Sequence, residues 1–286
     1  MHTPPRFAPP PRPVPLSLRI LNFFNGFAQI GWLVFGFGMI FFYFFGTNAD
    51  LSFATFRDAG GRASGRVVRV EQTGASEDGD AVEAAHYEYS VAGRPFSGKS
   101  YATDGSPAEG ENVTVEYDED HPARSRIAGM RRAIFGPWAI VVAIFPLVGF
   151  VILWFATRSG MKRNHLLSNG VLTTGKLVST EGTNMYVNRR RVWELTFEFT
   201  DRMGRRCTAT ARTTDTERLR DEAAEPLLYD PDDPQRAYLL DEAPARPHFE
   251  GNGELAGRPA AALAALFLPA LVIGLNALLL GMKYLR

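Results

Sequence analysis

The sequence predicts an α+β membrane protein with three transmembrane helices and two small, five-stranded antiparallel β domains of barrel-like form. Averaged over 286 residues the composition is ordinary, with 45% apolar residues and no net charge, so the prediction comes from how residues are distributed. Three long stretches contain no charged residue, and the two polar segments between them repeat one strand pattern at a spacing of about 110 residues.

The uncharged stretches are residues 20–49, 133–157 and 259–282. A helix needs roughly 20 apolar residues to cross the hydrocarbon layer, so each stretch is long enough to form a transmembrane helix. A cleavable signal peptide is the alternative for the first stretch, but its apolar part is about twice as long as such peptides use. Residues 1–19 before it contain seven prolines and three arginines without an acidic residue, which predicts a disordered tail.

The polar segments 60–128 and 170–240 contain alternating apolar and polar residues, the period of a half-buried strand. "YEYSVAG" in the first segment corresponds to "FEFTDRMG" in the second, and each turns at a glycine into another extended run. Two more short strands follow in each segment. The apolar positions of this pattern are Ala85, Tyr87, Tyr89 and Val91 in the first copy and Trp193, Leu195, Phe197 and Phe199 in the second.

A helix-start signature stands between the third and fourth predicted strands of each copy. Ser106 precedes Glu109, and Thr214 precedes Glu217, the spacing at which a hydroxyl and a carboxylate cap a helix reciprocally. Three strands, a short helix and two strands is the order of a small barrel of the oligonucleotide-binding kind. An SH3-like barrel has a similar strand count and stays open as an alternative.

An acidic motif closes each copy, "YDEDHP" at 117–122 and "YDPDDP" at 229–234. Alternating carboxylates suit a calcium loop, but a proline stands at a ligand position and the acidic residues differ between the copies. A turn that links the last two strands explains the pattern better, because Asp accepts backbone hydrogen bonds and Pro stops strand pairing. The predicted structural residues are Tyr117, Asp118 and Pro122 in the first copy, Tyr229, Asp230 and Pro234 in the second, and the repeat-start glycines Gly65 and Gly175.

Signatures of catalysis or of cofactor binding do not survive inspection. "GVLTTGKL" has the glycines and lysine of a phosphate loop, but Leu177 replaces the hydroxyl residue that magnesium needs. Cys207 is the single cysteine, and the five histidines have no partner at ligand or triad spacing. We therefore predict no enzyme activity, no cofactor and no metal. Nucleic acid is not an expected partner either, since neither β segment is strongly basic.

The glycine-led first strand, "G-x-x-x-x-G-[RK]-[VL]-V", and the late "Y-D-x-D-x-P" next to a membrane span resemble the bacterial membrane proteins of domain-of-unknown-function family 3592. The resemblance occurs twice, over about 60–128 and 170–240. It implies residence in a bacterial inner membrane, and it implies no activity and no catalytic residue.

The lipid bilayer is the predicted partner, and the topology depends on weak signals. Lys and Arg counts near the span ends are equal on the two sides, so the acid-free tail is the reason to favour a cytoplasmic amino terminus. Three single spans put the two β domains on opposite faces. A re-entrant hairpin broken at Pro137 and Pro146 would instead put them on one face, but 133–157 is short for two crossings.

The expected function is non-enzymatic, with the β domains mediating protein docking or envelope scaffolding. The alternative is a transport accessory or a homo-oligomeric pore component. Amides in lipid seek partners, so the face formed by Asn22, Asn25 and Gln29 is predicted to pack on another helix, a partner protein or a second copy. The loop joining the first two strands is acidic in copy one and carries Arg189, Arg190 and Arg191 in copy two, which suits solvent, anionic lipid or a protein.

Overall fold

A computed structural model describes residues 8–55, 60–217, 224–242, 245, 247, 249–250 and 253–284. The chain forms two compact units. One comprises Phe37–Leu147, and the other comprises Met1–Gly36 together with Val148–Arg286. Each unit contains one five-stranded antiparallel sheet, as the repeated strand pattern predicts.

The described α-helices are α1 (Leu16–Phe24), α2 (Phe27–Phe44), α3 (Ser52–Thr55), α4 (Ile144–Asn169) and α5 (Pro259–Tyr284). Short 3₁₀ helices occupy Gly46–Asn48, Pro137–Ala143 and Leu240–Glu242. Within the described residues, three helical segments are long and apolar enough to span a membrane, namely Phe27–Asn48, Pro137–Asn169 and Pro259–Met282.

Sheet one contains β1 (Gly61–Glu77), β2 (Asp80–Val91), β3 (Arg94–Ala102), β4 (Asn112–Tyr117) and β5 (Ser125–Ile127) in the order β3-β2-β1-β4-β5. Sheet two contains β6 (Val171–Val187), β7 (Arg190–Thr200), β8 (Arg206–Thr213), β9 (Glu225–Tyr229) and β10 (Ala237–Leu239) in the order β10-β9-β6-β7-β8. The two orders describe the same topology, with the long first strand of each sheet at its centre.

The long first strand of each sheet bends at the same two places. In β1 the register with β2 shifts between Val67 and Arg69 and between Gln72 and Ser76. In β6 the shifts fall 110 residues later, between Leu177 and Ser179 and between Gly182 and Tyr186. Such bulges curl a strand and increase its twist, so both sheets bend around their own apolar cores.

Each core comes from the alternating residues that the sequence singles out. Tyr87, Ala85 and Val115 are fully buried in sheet one, and Phe197, Leu195 and Leu227 are fully buried in sheet two. The period of two places these side chains on one concave face.

The prediction of barrels is wrong, because neither sheet closes into one. In sheet one, Tyr101 of β3 exchanges two backbone hydrogen bonds with Arg131 beyond β5, at 2.8 and 2.9 Å, as an isolated bridge. A single bridge does not make a continuous ladder between β3 and β5, so both strands keep an edge.

The helix predicted from Ser106 is also absent: residues 103–111 form an irregular loop. Glu109 accepts a hydrogen bond from the backbone N–H of Val70 at 3.0 Å, instead of capping a helix. That N–H follows the bulge in β1, so Glu109 provides the acceptor for a donor in the bulged stretch. For the corresponding helix predicted from Thr214, residues 218–223 lie outside the described part of the chain.

The predicted first span begins too early, because α1 and α2 are separate helices. Gly26 has φ +61°, a left-handed backbone that ends α1 before α2 begins at Phe27. The tail predicted over residues 1–19 is ordered from Leu16 onward in α1, and the backbone N–H of Arg12 donates to Ser168 O at 2.8 Å. Residues 1–7 lie outside the described residues.

Prolines do not break the middle span into a re-entrant hairpin. Pro137 opens the 3₁₀ helix, which continues directly into α4 through Pro146. A proline in the first turn of a helix removes no hydrogen bond that the helix would make, so the segment runs on to Asn169. Its last part, after Thr157, is the polar extension "RSGMKRNHLLSN".

An apolar cluster joins α1 to sheet two and to the neighbouring ends of α4 and α5. Leu18 and Leu21 of α1 are buried completely or nearly so, and they share this cluster with Leu167 of α4, Leu228 of β9 and Ala262 of α5. Its other buried members are Val14, Leu166, Tyr238, Leu240, Ala245, Leu255 and Ala265. The short α1 therefore holds sheet two against two of the apolar helices.

Close helix packing uses glycine. A Cβ at Gly149 of α4 would lie 2.4 Å from the backbone N of Phe35 in α2, which leaves no room for a side chain. A Cβ at Gly36 would lie 2.5 Å from Val272 of α5. Small residues at such crossings let the backbones of two helices approach closely.

We expect Gly149→Ala to weaken the contact between α2 and α4, because the added methyl group meets backbone that cannot move aside. Overpacking of this kind costs about 1–3 kcal/mol, so the unfolding temperature of the detergent-solubilised protein should fall. Gly274→Ala is the matched control, since a Cβ there meets nothing within 4 Å and alanine favours a helix. Equal unfolding temperatures for the two variants would contradict the packing described.

Candidate functional site

The motif at 117–122 forms the link between β4 and β5. Asp118 Oδ1 accepts hydrogen bonds from the backbone N–H groups of Asp120 at 3.0 Å and His121 at 3.2 Å. The N–H of Asp118 donates to Arg124 O at 3.0 Å, which closes the loop before β5 begins. The carboxylate thus organises its own turn, as Asp commonly does.

The second motif builds the same link between β9 and β10 with one added contact. Asp230 Oδ1 accepts the N–H of Asp232 at 3.1 Å, and the N–H of Asp230 donates to Arg236 O at 3.0 Å. Its other oxygen lies 3.5 Å from Nε2 of His165 in the polar extension of α4. The Asp230 side chain is only 7% exposed, so this turn lies against the helix rather than in solvent.

A shallow cavity of about 260 Å³ opens beside this contact. Arg236 at its rim is paired with Asp233, with 2.9 Å between Nε and Oδ2. The cavity lining contains a histidine and a carboxylate but no hydroxyl or thiol that could act as a nucleophile. It comprises Met161, Lys162, His165, Leu166, Asp230 and Arg236. The contact between Asp230 and His165 holds the turn against α4.

The motif tyrosines pack with the sheet cores, and the motif prolines lie half-buried in the turns. Tyr229 is buried, its ring centroid lies 5.3 Å from that of Phe199, and its hydroxyl accepts the N–H of Arg202 at 2.9 Å. The Tyr117 ring stacks on Tyr89, whose hydroxyl donates to Pro122 O. Pro234 is half-buried in the second turn.

The two repeat-start glycines lie inside β1 and β6, where three strands approach one another. A Cβ at Gly65 would lie 2.7 Å from a Val115 methyl group, and one at Gly175 would lie 2.7 Å from a Leu227 methyl group. Val115 and Leu227 are both fully buried. The glycines therefore make room for core residues of the fourth strand in each sheet.

The amides of the first apolar stretch find partners within the chain. Asn22 Nδ2 donates to Asn164 Oδ1 of α4 at 2.8 Å, and Gln29 Nε2 donates to Ala265 O of α5 at 2.7 Å. Asn25 Oδ1 accepts the N–H of Gly26 at 2.8 Å, at the break between α1 and α2. These contacts draw α1 and α2 onto the other two helices.

A cluster that the sequence reading missed lies on the surface of sheet one. Glu71 of β1 accepts hydrogen bonds from His86 Nε2 at 3.0 Å and Lys99 Nζ at 3.1 Å, and it lies 2.7 Å from Arg69. Hydrogen bonds from His86 and Lys99, aided by the positive charges of Arg69 and Lys99, lower the pKa of Glu71 to about 2 against opposing desolvation. The bulge after Val67 moves these residues into reach, and a bulge has no simple sequence signal.

Across the described residues, no group of three or more His, Cys, Asp or Glu side chains is arranged to hold a metal ion. Asp118 and Asp230 use their oxygens for turn hydrogen bonds, as described above.

Comparison with known proteins adds one finding. The family described as a domain of unknown function (DUF3592) matches residues 63–131, so the part of the chain that forms sheet one is similar to that family. Neither the curated proteins nor the solved structures compared with the chain gave a match.

We expect Asp230→Ala to lower the free energy of unfolding by about 1–2 kcal/mol, because the N–H of Asp232 loses its acceptor and His165 loses the carboxylate beside it. Asp230→Asn keeps an acceptor oxygen and should lose less. Thermal unfolding in detergent measures both, with Asp118→Ala as the control at the more exposed turn. A chelator that lowers the stability of the natural protein but not of Asp230→Ala would contradict the turn interpretation and indicate a metal.

A pH dependence follows from Glu71. Its folded pKa of about 2 lies below its ordinary value of 4.5, so its stabilising contribution is present above pH 4.5 and is lost as pH falls from 4.5 to about 2. Glu71→Gln should therefore unfold at a lower temperature than the natural protein at neutral pH, and the difference should vanish by about pH 2. Glu88→Gln, an exposed change on the neighbouring strand β2, is the control. A difference that persists unchanged at low pH would contradict the assignment.

Proposed function

We propose that the protein is a non-enzymatic, multi-pass membrane protein of a cell inner membrane, and that its second sheet docks a protein partner through an open edge. Membrane residence is supported by the apolar side chains that the candidate spans leave exposed, such as Leu147, Phe150 and Phe155 of α4. We also propose that sheet two is a second copy of the family domain, because it repeats the topology and both bulges of sheet one.

The proposed topology starts from α1. Its packing against β9 places the amino-terminal segment on the side of sheet two, and the acid-free tail favours the cytoplasm for that side. If each of the three candidate spans crosses once, residues 61–127 follow the first crossing on the opposite face. Both faces of the membrane then carry one sheet.

The observation that supports docking is the outer edge of β8, which forms no ladder with another strand among the described residues, although β10 lies near it. Alternate N–H groups of an edge strand point away from the sheet. The N–H of Arg212 points outward, because it donates to Glu242 Oε1 at 3.3 Å instead of to β7. By the same alternation, the N–H groups of Thr208 and Thr210 point outward along the open part of the edge.

The corresponding edge in sheet one is protected. The outward N–H of Tyr101 bonds Arg131, and the same alternation puts Lys99 and Pro95 at the outward positions of β3. A proline and a lysine on an edge strand discourage pairing with another chain. The second sheet has exposed Thr208 and Thr210 there instead, so an extended partner segment can add to β8 as a further strand.

The experiment compares Thr210→Pro with Thr210→Val in the full chain. Membranes are first washed with alkaline carbonate, and the protein should remain until detergent is added. Thr210→Pro removes the outward backbone N–H donor without touching the ladder to β7. Recovery of the co-purifying partner should therefore fall about tenfold, which corresponds to a loss of roughly 1.4 kcal/mol of binding free energy. Thr210→Val keeps the donor and should retain the partner.

Three outcomes contradict the proposal. Release of the protein by carbonate would exclude membrane residence, and equal recovery with both variants would exclude docking at β8. A preparation that contains only copies of this chain, and that leaks ions in liposomes, would favour the alternative of a homo-oligomeric pore component.

A further inference from the structure

The hairpin formed by β6 and β7 ends in a surface that sheet one does not share. Met185, Tyr186 and Val187 are 56, 65 and 50% exposed at its tip. Arg189, Arg190 and Arg191 follow, all exposed, and residues 182–193 contain no acidic side chain. Apolar side chains and arginines together, with no acid among them, are typical of segments that bind anionic membrane surfaces.

The arginines at the tip differ in their roles. Arg191 is fixed on the hairpin, where it donates to Thr183 O at 2.9 Å and to Gly182 O at 3.2 Å. Among the ion pairs of the described residues, neither Arg189 nor Arg190 takes part. These two guanidinium groups are therefore available to an external anion.

The backbone of the turn also indicates a role for Arg189. Asn188 and Arg189 have φ values of +49° and +63°, the left-handed pair that a two-residue hairpin turn requires. At the matching place in sheet one stand Asp78 and Gly79. Glycine adopts this left-handed backbone more readily than arginine, so Arg189 makes the turn of sheet two less favourable than the turn with Gly79.

The position of the tip is indicated by the equivalent hairpin of sheet one. The two hairpins correspond residue by residue at an offset of 110. Thr73 donates to Val82 O at 2.8 Å, and Thr183 donates to Val192 O at 2.7 Å, inside matching bulges. Val187 thus takes the place of Glu77.

Glu77 lies at the base of its unit, next to a candidate span. Its Oε1 accepts the N–H of Gly136 at 3.2 Å, and its other oxygen bonds Arg131. Gly136 directly precedes Pro137, where the candidate span begins. The first hairpin therefore bends back until its tip meets the start of a membrane helix.

We propose that the tip of the β6–β7 hairpin binds the membrane surface, with Met185, Tyr186 and Val187 entering the headgroup layer and Arg189 and Arg190 binding phosphates of anionic phospholipids. The inference rests on the membrane residence proposed above. The β1–β2 hairpin places Glu77 beside the start of a candidate span. The β6–β7 hairpin has the same bulges, so it places its apolar residues, Arg189 and Arg190 at the corresponding position.

The test uses the full chain with Cys207→Ser, reconstituted in phosphatidylcholine vesicles with or without phosphatidylglycerol. Val187→Cys carries a fluorophore, and phosphatidylcholine with a spin-labelled headgroup quenches it. The control label is at Met203→Cys, an exposed apolar position in the β7–β8 turn of the same sheet. We expect strong quenching at position 187 in anionic vesicles and little at 203.

Replacing both free arginines, as Arg189→Gln with Arg190→Gln, should shift the tip from bound to free by roughly 30-fold, the effect of two cationic side chains near an anionic surface. Quenching at position 187 no stronger than at 203 would overturn the inference, and so would equal quenching in neutral and anionic vesicles. A tip shielded from a water-soluble quencher but not reached by the lipid quencher would reveal a protein contact and would also overturn it. Loss of the protein from carbonate-washed membranes contradicts the proposed function instead, so the two failures are distinguishable.

Discussion

The structure depends on how the apolar side chains of its long helices avoid water. Among the described residues of α4 and α5, seventeen large hydrophobic side chains stand exposed on the surface of the protein. Burying one such side chain is worth about 2 kcal/mol, so moving the set out of water would contribute on the order of 30 kcal/mol. That exceeds the roughly 5–15 kcal/mol by which folded domains are stable. An apolar surrounding therefore favours the exposed faces of these helices, whose amide contacts and glycine crossings such as that at Gly149 pack them together.

The two sheets share a backbone plan and differ in what they present to their surroundings. Both long first strands carry paired bulges, and both fourth strands contribute a core residue against a glycine. The hairpin tip bonds to its own unit through Glu77 in sheet one and is exposed in sheet two. The edge of β3 contains Pro95, whereas β8 has threonines. Sheet one thus bonds its hairpin tip within its own unit, whereas the hairpin tip of sheet two is exposed.

The sequence predicts the elements that depend on short-range periodicity and fails where a distant contact decides. The alternation around Tyr87 and Phe197 predicts the strands, and uncharged stretches predict the helices. The sequence does not reveal the break at Gly26, because α1 is apolar like α2. The apolar residues of α1 are explained by their burial against sheet two. The helix expected at Ser106 does not form, because Glu109 bonds a strand instead.

The prediction of closed barrels counts strands correctly, but closure depends on β3 and β5 pairing along their length, which no local pattern encodes. The turn motif is readable in advance, whereas the contact between Asp230 and His165 is not, since 65 residues separate them.

The burial of α1 imposes an order on biosynthesis. Leu18 reaches its buried state only beside residues such as Leu228 and Ala262, which the ribosome adds more than 200 residues later. At roughly 5–20 residues per second, the amino-terminal helix waits for ten seconds or more. Sheet one has all its strands once Ile127 is made and needs none of the later chain for its ladders. In the nascent protein α1 accordingly stays without its packing partners until the residues of β9 and α5 are made, and its apolar side chains are exposed during that interval.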